Sequence, residues 1–186
     1  MDKKQRIIIT MLELVVKQGV HATPMSQVAK EANVAVGTIY HYFENKNEVI
    51  QELYKMIVKD YGVVLMANLP EEDFKAQFEI MWTNLYSYFV GNPLAFKFVE
   101  YVAAPPIISK EIVKQSVPYI ANIRDFFLKG IEEKQIRNVP IRLILQMAFG
   151  SVISAVRLKF NEELEMTKEE IDLAIEMSWD AVCYKN

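Results

Sequence analysis

Four side chains able to meet a ligand through oxygen or nitrogen fall within five positions: Thr38, Tyr40, His41 and Tyr42. What they can do depends on their surroundings. A catalytic base needs a partner and a pocket, and the sequence supplies neither here. A metal site needs several ligands, and the chain holds two histidines, His21 and His41, and one cysteine, Cys183. Contact with phosphates and base edges asks only for polar groups on one free face. A helical wheel at about 100° per residue provides that face. Ile39 and Phe43 are four apart and go to the core. His41 points most nearly the opposite way, with Gly37 and Thr38 beside it and Tyr40 and Tyr42 on its flanks.

The elements that must present this face lie in residues 23–46, TPMSQVAKEANVAVGTIYHYFENK. Thr23 is suited to cap a helix and Pro24 to open it, because a first-turn residue needs no N–H. Val28, Ala29 and Ala32 recur at helical spacing, and Asn33 tolerates the left-handed backbone that ends a helix. Gly37 opens a second short helix. The layout is a helix-turn-helix, whose second helix enters the DNA major groove. Ser26 and Gln27 on the first helix of the pair are candidates for the phosphate backbone. Lys46 opens a longer helix to about Asn68, and its charge opposes the helix dipole, so an anion such as a phosphate is expected beside it.

Composition sets the bounds. The 186 residues are 52% hydrophobic and 24% charged, with 6 Gly and 7 Pro, which describes a folded helical chain rather than a disordered or loop-rich one. The net charge is −3, yet residues 1–60 carry eight basic and seven acidic side chains, so the excess acid lies beyond them. A single cysteine excludes an intramolecular disulfide, and Cys183 is expected to be buried near the end of the last helix. The start, MDKKQRIIITMLELVV, mimics a signal peptide only superficially: Glu13 interrupts the apolar run and no small-residue cleavage site follows. It is expected to be the first helix of a cytoplasmic protein, ended by Gly19. The uncharged run 143–156 is too short to span a bilayer, so no membrane partner is expected. No triad, metal motif or phosphate loop points to an enzyme.

Beyond Asn68 the pattern stays helical. Leu69-Pro70-Glu71-Glu72-Asp73 starts a fifth helix to about Val90, Gly91-Asn92-Pro93 breaks it, and a sixth covers roughly 94–103 before Pro105-Pro106. The seventh comes in two pieces, near 109–115 and 118–134. The eighth spans about 141–160, and Thr167 caps the ninth. Most aromatic side chains here are core. The aromatic Trp82, Tyr86, Phe89, Tyr101, Tyr119 and Phe126, with Asn122 and Met147, are the candidate lining of a cavity for an apolar or aromatic small molecule. The eighth helix is apolar on more than one side and needs neighbours all round. A second copy of the chain would supply them, through Ala148, Val152, Ala155, Val156, Ile175, Ser178, Trp179 and Val182.

Residues 6–54 resemble the TetR family of one-component bacterial transcriptional regulators. The likeness rests on the apolar first helix, then G-V-H-A-T, V-A-K-E-A-N-V, G-T-I-Y-H-Y-F and K-N-E-V-I at their spacings. The resemblance implies an all-α dimer, with a three-helix DNA-binding head over residues 1–46 and a ligand-binding and dimerisation body over 47–186. It implies a repressor that grips a near-palindromic operator and is released when a ligand moves the fourth helix, with no cofactor. It assigns Thr23 and Lys46 to phosphates, Gly37 and Thr38 to the groove, and Tyr40 and Tyr42 to backbone or base edges. Two positions depart from the family pattern. Ala35 stands where a capping Ser or Thr is common, and Val36 where a basic residue is common, so Val36 is a candidate for a thymine methyl. The competing expectation is a helical carrier of hydrophobic molecules that has no operator.

Overall fold

A computed structural model describes residues 1–71, 73–103, 107–161 and 166–184. Among these the fold is all-α. The helices are α1 (Lys3–Gln18), α2 (Met25–Glu31), α3 (Val36–Tyr42), α4 (Lys46–Leu65), α5 (Phe74–Gly91), α6 (Pro93–Lys97), α7 (Lys110–Ser116), α8 (Ala121–Glu132), α9 (Ile141–Asn161) and α10 (Lys168–Val182). A π turn, Phe98–Val102, continues α6, and a 3-10 turn, Val117–Ile120, joins α7 to α8, which accounts for the seventh helix in two pieces. The expected stop at Pro105-Pro106 lies outside the described residues.

The chain forms two compact units. The first comprises residues 1–59 and 92–117, the second residues 60–91 and 118–186. Residues 46–59 of α4 belong to the first unit and residues 60–65 to the second, and α6 with the π turn packs on α1.

In the first unit, Ile7, Met11, Val15, Val28, Ile39, Val49, Ile50 and Leu53 are all essentially inaccessible. Burying side chains of this size stabilises by roughly 1.5–3 kcal/mol each. Local signals fix where the helices end. Asp2 caps α1 by accepting from the Gln5 N–H at 2.7 Å. Gly19 ends it at φ 83°, a conformation that favours glycine. Asn33, at φ 52°, closes α2 as its type suggests.

The second unit packs α5, α8 and α10 around α9. Phe78, Trp82, Leu85, Phe89, Ile144, Val152, Val156 and Ile175 form its core. Phe74 stacks on Phe126 with centroids 4.2 Å apart. The acidic residues before α5 precede its first turn rather than occupy it; Asp73 accepts from the Ala76 N–H at 3.0 Å. Glu72 lies outside the described residues. A reciprocal capping box, Thr167 with Glu170, starts α10. Arg137 donates to the carbonyls of Cys183 and Asp180, satisfying acceptors at the end of α10. Cys183 is buried there.

Candidate nucleic-acid interface

The first unit presents α3 on its surface. Ile39 and Phe43 are buried, as the wheel requires, and hold the helix down. Lys4 lies over the Phe43 ring, 5.5 Å from its centroid, and 3.9 Å from Glu52. Val36, Gly37, Tyr40, His41 and Tyr42 are exposed, with Thr38 half-buried among them; His41 lies opposite the two anchors, whereas Val36 falls near Phe43 on the wheel and is open to solvent at the start of the helix. Tyr40 is 53% exposed. His41 and Tyr42 meet edge to face at 5.2 Å, which orients both rings. The amino-terminal cap of α3 is Ala35, with no side-chain hydrogen bond. Gly37 has nothing within 4 Å of the place a Cβ would take. A partner's backbone or base edge therefore has room to come close.

Three expectations at the rim change. Thr23 does not cap α2. The cap position is Pro24, without a side-chain bond, and α2 begins at Met25. Thr23 is instead 0% exposed and donates its hydroxyl to the Gly19 carbonyl at 2.8 Å. A buried hydroxyl already in use offers nothing to a phosphate. Lys46 has its own explanation: its Nζ donates to the carbonyls of Val20 at 2.8 Å and Thr23 at 3.1 Å. The partial charges of two carbonyl oxygens answer the ammonium that the sequence left looking for an anion, and they fasten the α1–α2 turn to the start of α4. The first turn of α4 is completed by Asn45, which accepts from the Glu48 N–H at 3.1 Å. Gln27 accepts from Gln18 at 3.0 Å and donates to Glu31 at 2.8 Å, so its amide braces α1 against α2. Ser26 is exposed. Sequence reasoning missed the bracing group Gln18, whose side chain also donates to the Ala22 carbonyl at 2.6 Å. No local signal marks it, because its partners are set by packing.

The other two candidate sets scatter. Trp82, Tyr86, Phe89 and Phe126 are buried in the second unit, and Trp82 stacks on Tyr86 at 5.5 Å. Tyr119, Asn122 and Met147 are on that unit's surface, and Tyr101 is an exposed residue of the first unit. Of the dimer set, Val152, Ala155, Val156, Ile175, Ser178 and Val182 are buried within the chain, and Ala148 and Trp179 are half-buried. Ser151 accepts from Trp82 Nε1 at 3.0 Å, donates to the Ala148 carbonyl and lies 2.8 Å from the Ser178 hydroxyl. Much of the set expected to meet a second copy is taken up by packing among α5, α9 and α10. The exposed apolar side of α9 and α10 carries Leu143, Met147, Leu158, Leu173 and Met177.

The arrangement has known counterparts. A model of the bacterial regulatory proteins of the tetR family matches residues 7–53, and one of the tetracyclin repressor-like C-terminal domain matches residues 73–183. The chain belongs to the TetR family. An HTH-type transcriptional regulator of Haemophilus influenzae, itself uncharacterized, is 27% identical over 188 residues, covering 97% of this chain and 96% of that protein. The crystal structure of a TetR family transcription regulator from Marinobacter aquaeolei VT8 superposes with a TM-score of 0.89 at 22% identity, over 98% of this chain and 96% of that one. The regulator FadR from Bacillus subtilis, in complex with stearoyl-CoA, superposes at 0.76 with 20% identity and 95% of each chain covered. TetR-family membership makes this chain a transcriptional regulator with a helix-turn-helix, and it identifies α3 as the second helix of that motif.

Proposed function

We propose that this TetR-family regulator is a cytoplasmic repressor that binds a near-palindromic operator as a homodimer and lets go when an apolar effector binds. The observation that carries the reading is the exposed polar face of α3, held from behind by Ile39 and Phe43. Val36, Gly37, Thr38, Tyr40, His41 and Tyr42 contact the duplex, with Ser26 beside them. Two copies place two such faces on half-sites about 34–36 Å apart or somewhat wider.

The homodimer forms through the outer side of α9 and α10. Leu143, Met147, Leu158, Leu173 and Met177 are large apolar residues left in water by the single chain. By length and composition the stretch Ile141–Phe160, with a mean hydropathy of 1.5, matches a membrane span more closely than the uncharged run alone suggests. Its inner side is occupied by α5 and α10 and by the Ser151 hydrogen bonds, which favours a protein partner over lipid on the outer side.

The effector is an apolar molecule carrying a long acyl chain. The stearoyl-CoA bound by the similarly folded FadR supports that class, and the buried Trp82, Tyr86, Phe89 and Phe126 supply an apolar surround of matching chemistry. The test is a gel shift on genomic fragments selected by the protein, at 50 and 200 mM salt, with and without a long-chain acyl-CoA. A retarded, strongly salt-sensitive complex that the acyl-CoA dissolves is the expected result. A complex untouched by acyl-CoA and free fatty acid, whether or not an aromatic compound dissolves it, overturns the effector assignment, and absence of any complex overturns the operator.

A further inference from the structure

We propose that the operator half-site is read at a thymine methyl by Val36. The inference rests on the operator reading above and adds which base feature α3 selects. Arginine and lysine are the best readers of guanine, and asparagine and glutamine of adenine. The sequence of α3, VGTIYHY, holds none of the four. It holds no Asp or Glu either. The remaining exposed groups are the Tyr40 and Tyr42 phenols, the His41 imidazole and the Val36 isopropyl.

Val36 is 40% exposed as the first residue of α3, although the wheel places it near the buried Phe43 rather than opposite it. Thr38 is half-buried, whereas the space around Gly37 is open. A bare glycine beside an exposed valine lets the helix backbone lie close to the groove floor, with the valine methyls leading. In the major groove one apolar group stands among the base edges, the C5-methyl of thymine. Contact between it and Val36 removes both from water, a gain that guanine, adenine and cytosine edges cannot match. The chain thus favours an A·T pair at that position through a methyl contact rather than a bidentate hydrogen bond.

The experiment starts from an operator selected by the full-length protein out of random DNA. Thymines are then replaced one at a time by deoxyuridine, which removes the methyl and keeps the pairing. Affinities are measured for the native chain and for Val36→Ala, with the thermal midpoint of each protein recorded. At one thymine in each half-site, the exchange is expected to weaken native binding about fourfold, the worth of one buried methyl-sized group. Val36→Ala is expected to bind thymine and deoxyuridine there within a factor of about 1.5, at an unchanged midpoint. If native binding ignores every such exchange, or if Val36→Ala keeps the same fourfold ratio, the methyl contact is refuted while operator binding stands. Selection of no sequence at all refutes the operator reading on which it rests. Should Val36→Ala prove unstable, Val36→Thr keeps the branched shape with one methyl fewer and is expected to reduce the ratio in the same direction.

Discussion

The ammonium of Lys46 sits on the carbonyl oxygens of Val20 and Thr23, and hydrogen bonds from a charged donor are typically worth about 1.5–3 kcal/mol. Partial exposure of the group reduces that, so Lys46→Met is expected to cost the fold roughly 1–2 kcal/mol in chemical denaturation. The slope of log affinity against log salt should stay unchanged, since no phosphate contact is lost; a slope shallower by about one unit would return Lys46 to the phosphate backbone. Tyr88 gives a second expectation. Burial first and Asp60 second push its phenol up to about 12. The folded chain therefore keeps a proton that the unfolded chain loses near pH 10. Its contribution is complete below pH 10 and falls away as pH rises toward 12. Tyr88→Phe should flatten the loss of thermal midpoint between pH 10 and 12; an unaltered curve would mean that other groups govern it. Thr23 shows why such roles resist reading from sequence. Its type suits a cap, but its hydroxyl goes to Gly19 once the turn folds back, and only the packed structure decides that.

At the scale of elements, helix ends were the most legible feature and helix faces the least. Gly19, Asn33 and Thr167 act within a few residues of themselves, so type and spacing suffice. The α2–α3 pair was equally readable, because Ile39 and Phe43 define one buried side of a short helix. α9 was not. A helix apolar all round gives a wheel no preferred direction, and the stripe through Val152 and Val156 turned out to face the chain's own α5 and α10. For the candidate ligand set, spacing does not tell which unit holds a residue, and Tyr101 belongs to the first. Close approach between elements leads to a further expectation. A Cβ on Gly62 of α4 would fall well inside contact distance of the Tyr119 backbone carbonyl in the 3-10 turn. Backbone cannot rotate away, so Gly62→Ala should destabilise by about 1–3 kcal/mol despite alanine's better helix propensity. A midpoint at or above that of the native chain would show that the turn yields.

For the whole molecule, the question is what covers the outer side of α9 and α10. Met177 is 73% exposed and Met147 57%, and a stable homodimer requires such residues to be lost to water. Met177→Glu places a charge in that seam. Light scattering at micromolar concentration is expected to give a dimer for the native chain and a monomer, or a mixture shifted toward it, for the variant. A native monomer would remove the two-headed grip on an operator. That grip also sets the claim on which the functional account rests, that the free side of α3 lies against DNA. Fluorescence anisotropy on a selected operator tests it directly, comparing the native chain with the double variant Tyr40→Ala, His41→Ala from 50 to 200 mM salt. Both side chains are exposed, so the fold should survive. The native chain should lose about a thousandfold or more in affinity over that salt range if six or more phosphates are contacted. The folded double variant should bind at least about tenfold more weakly than the native chain at every salt concentration, because base-edge contacts of this kind are worth about 1–3 kcal/mol. Equal affinity of the folded variant and the native chain across the series would contradict the assignment of α3 to the groove.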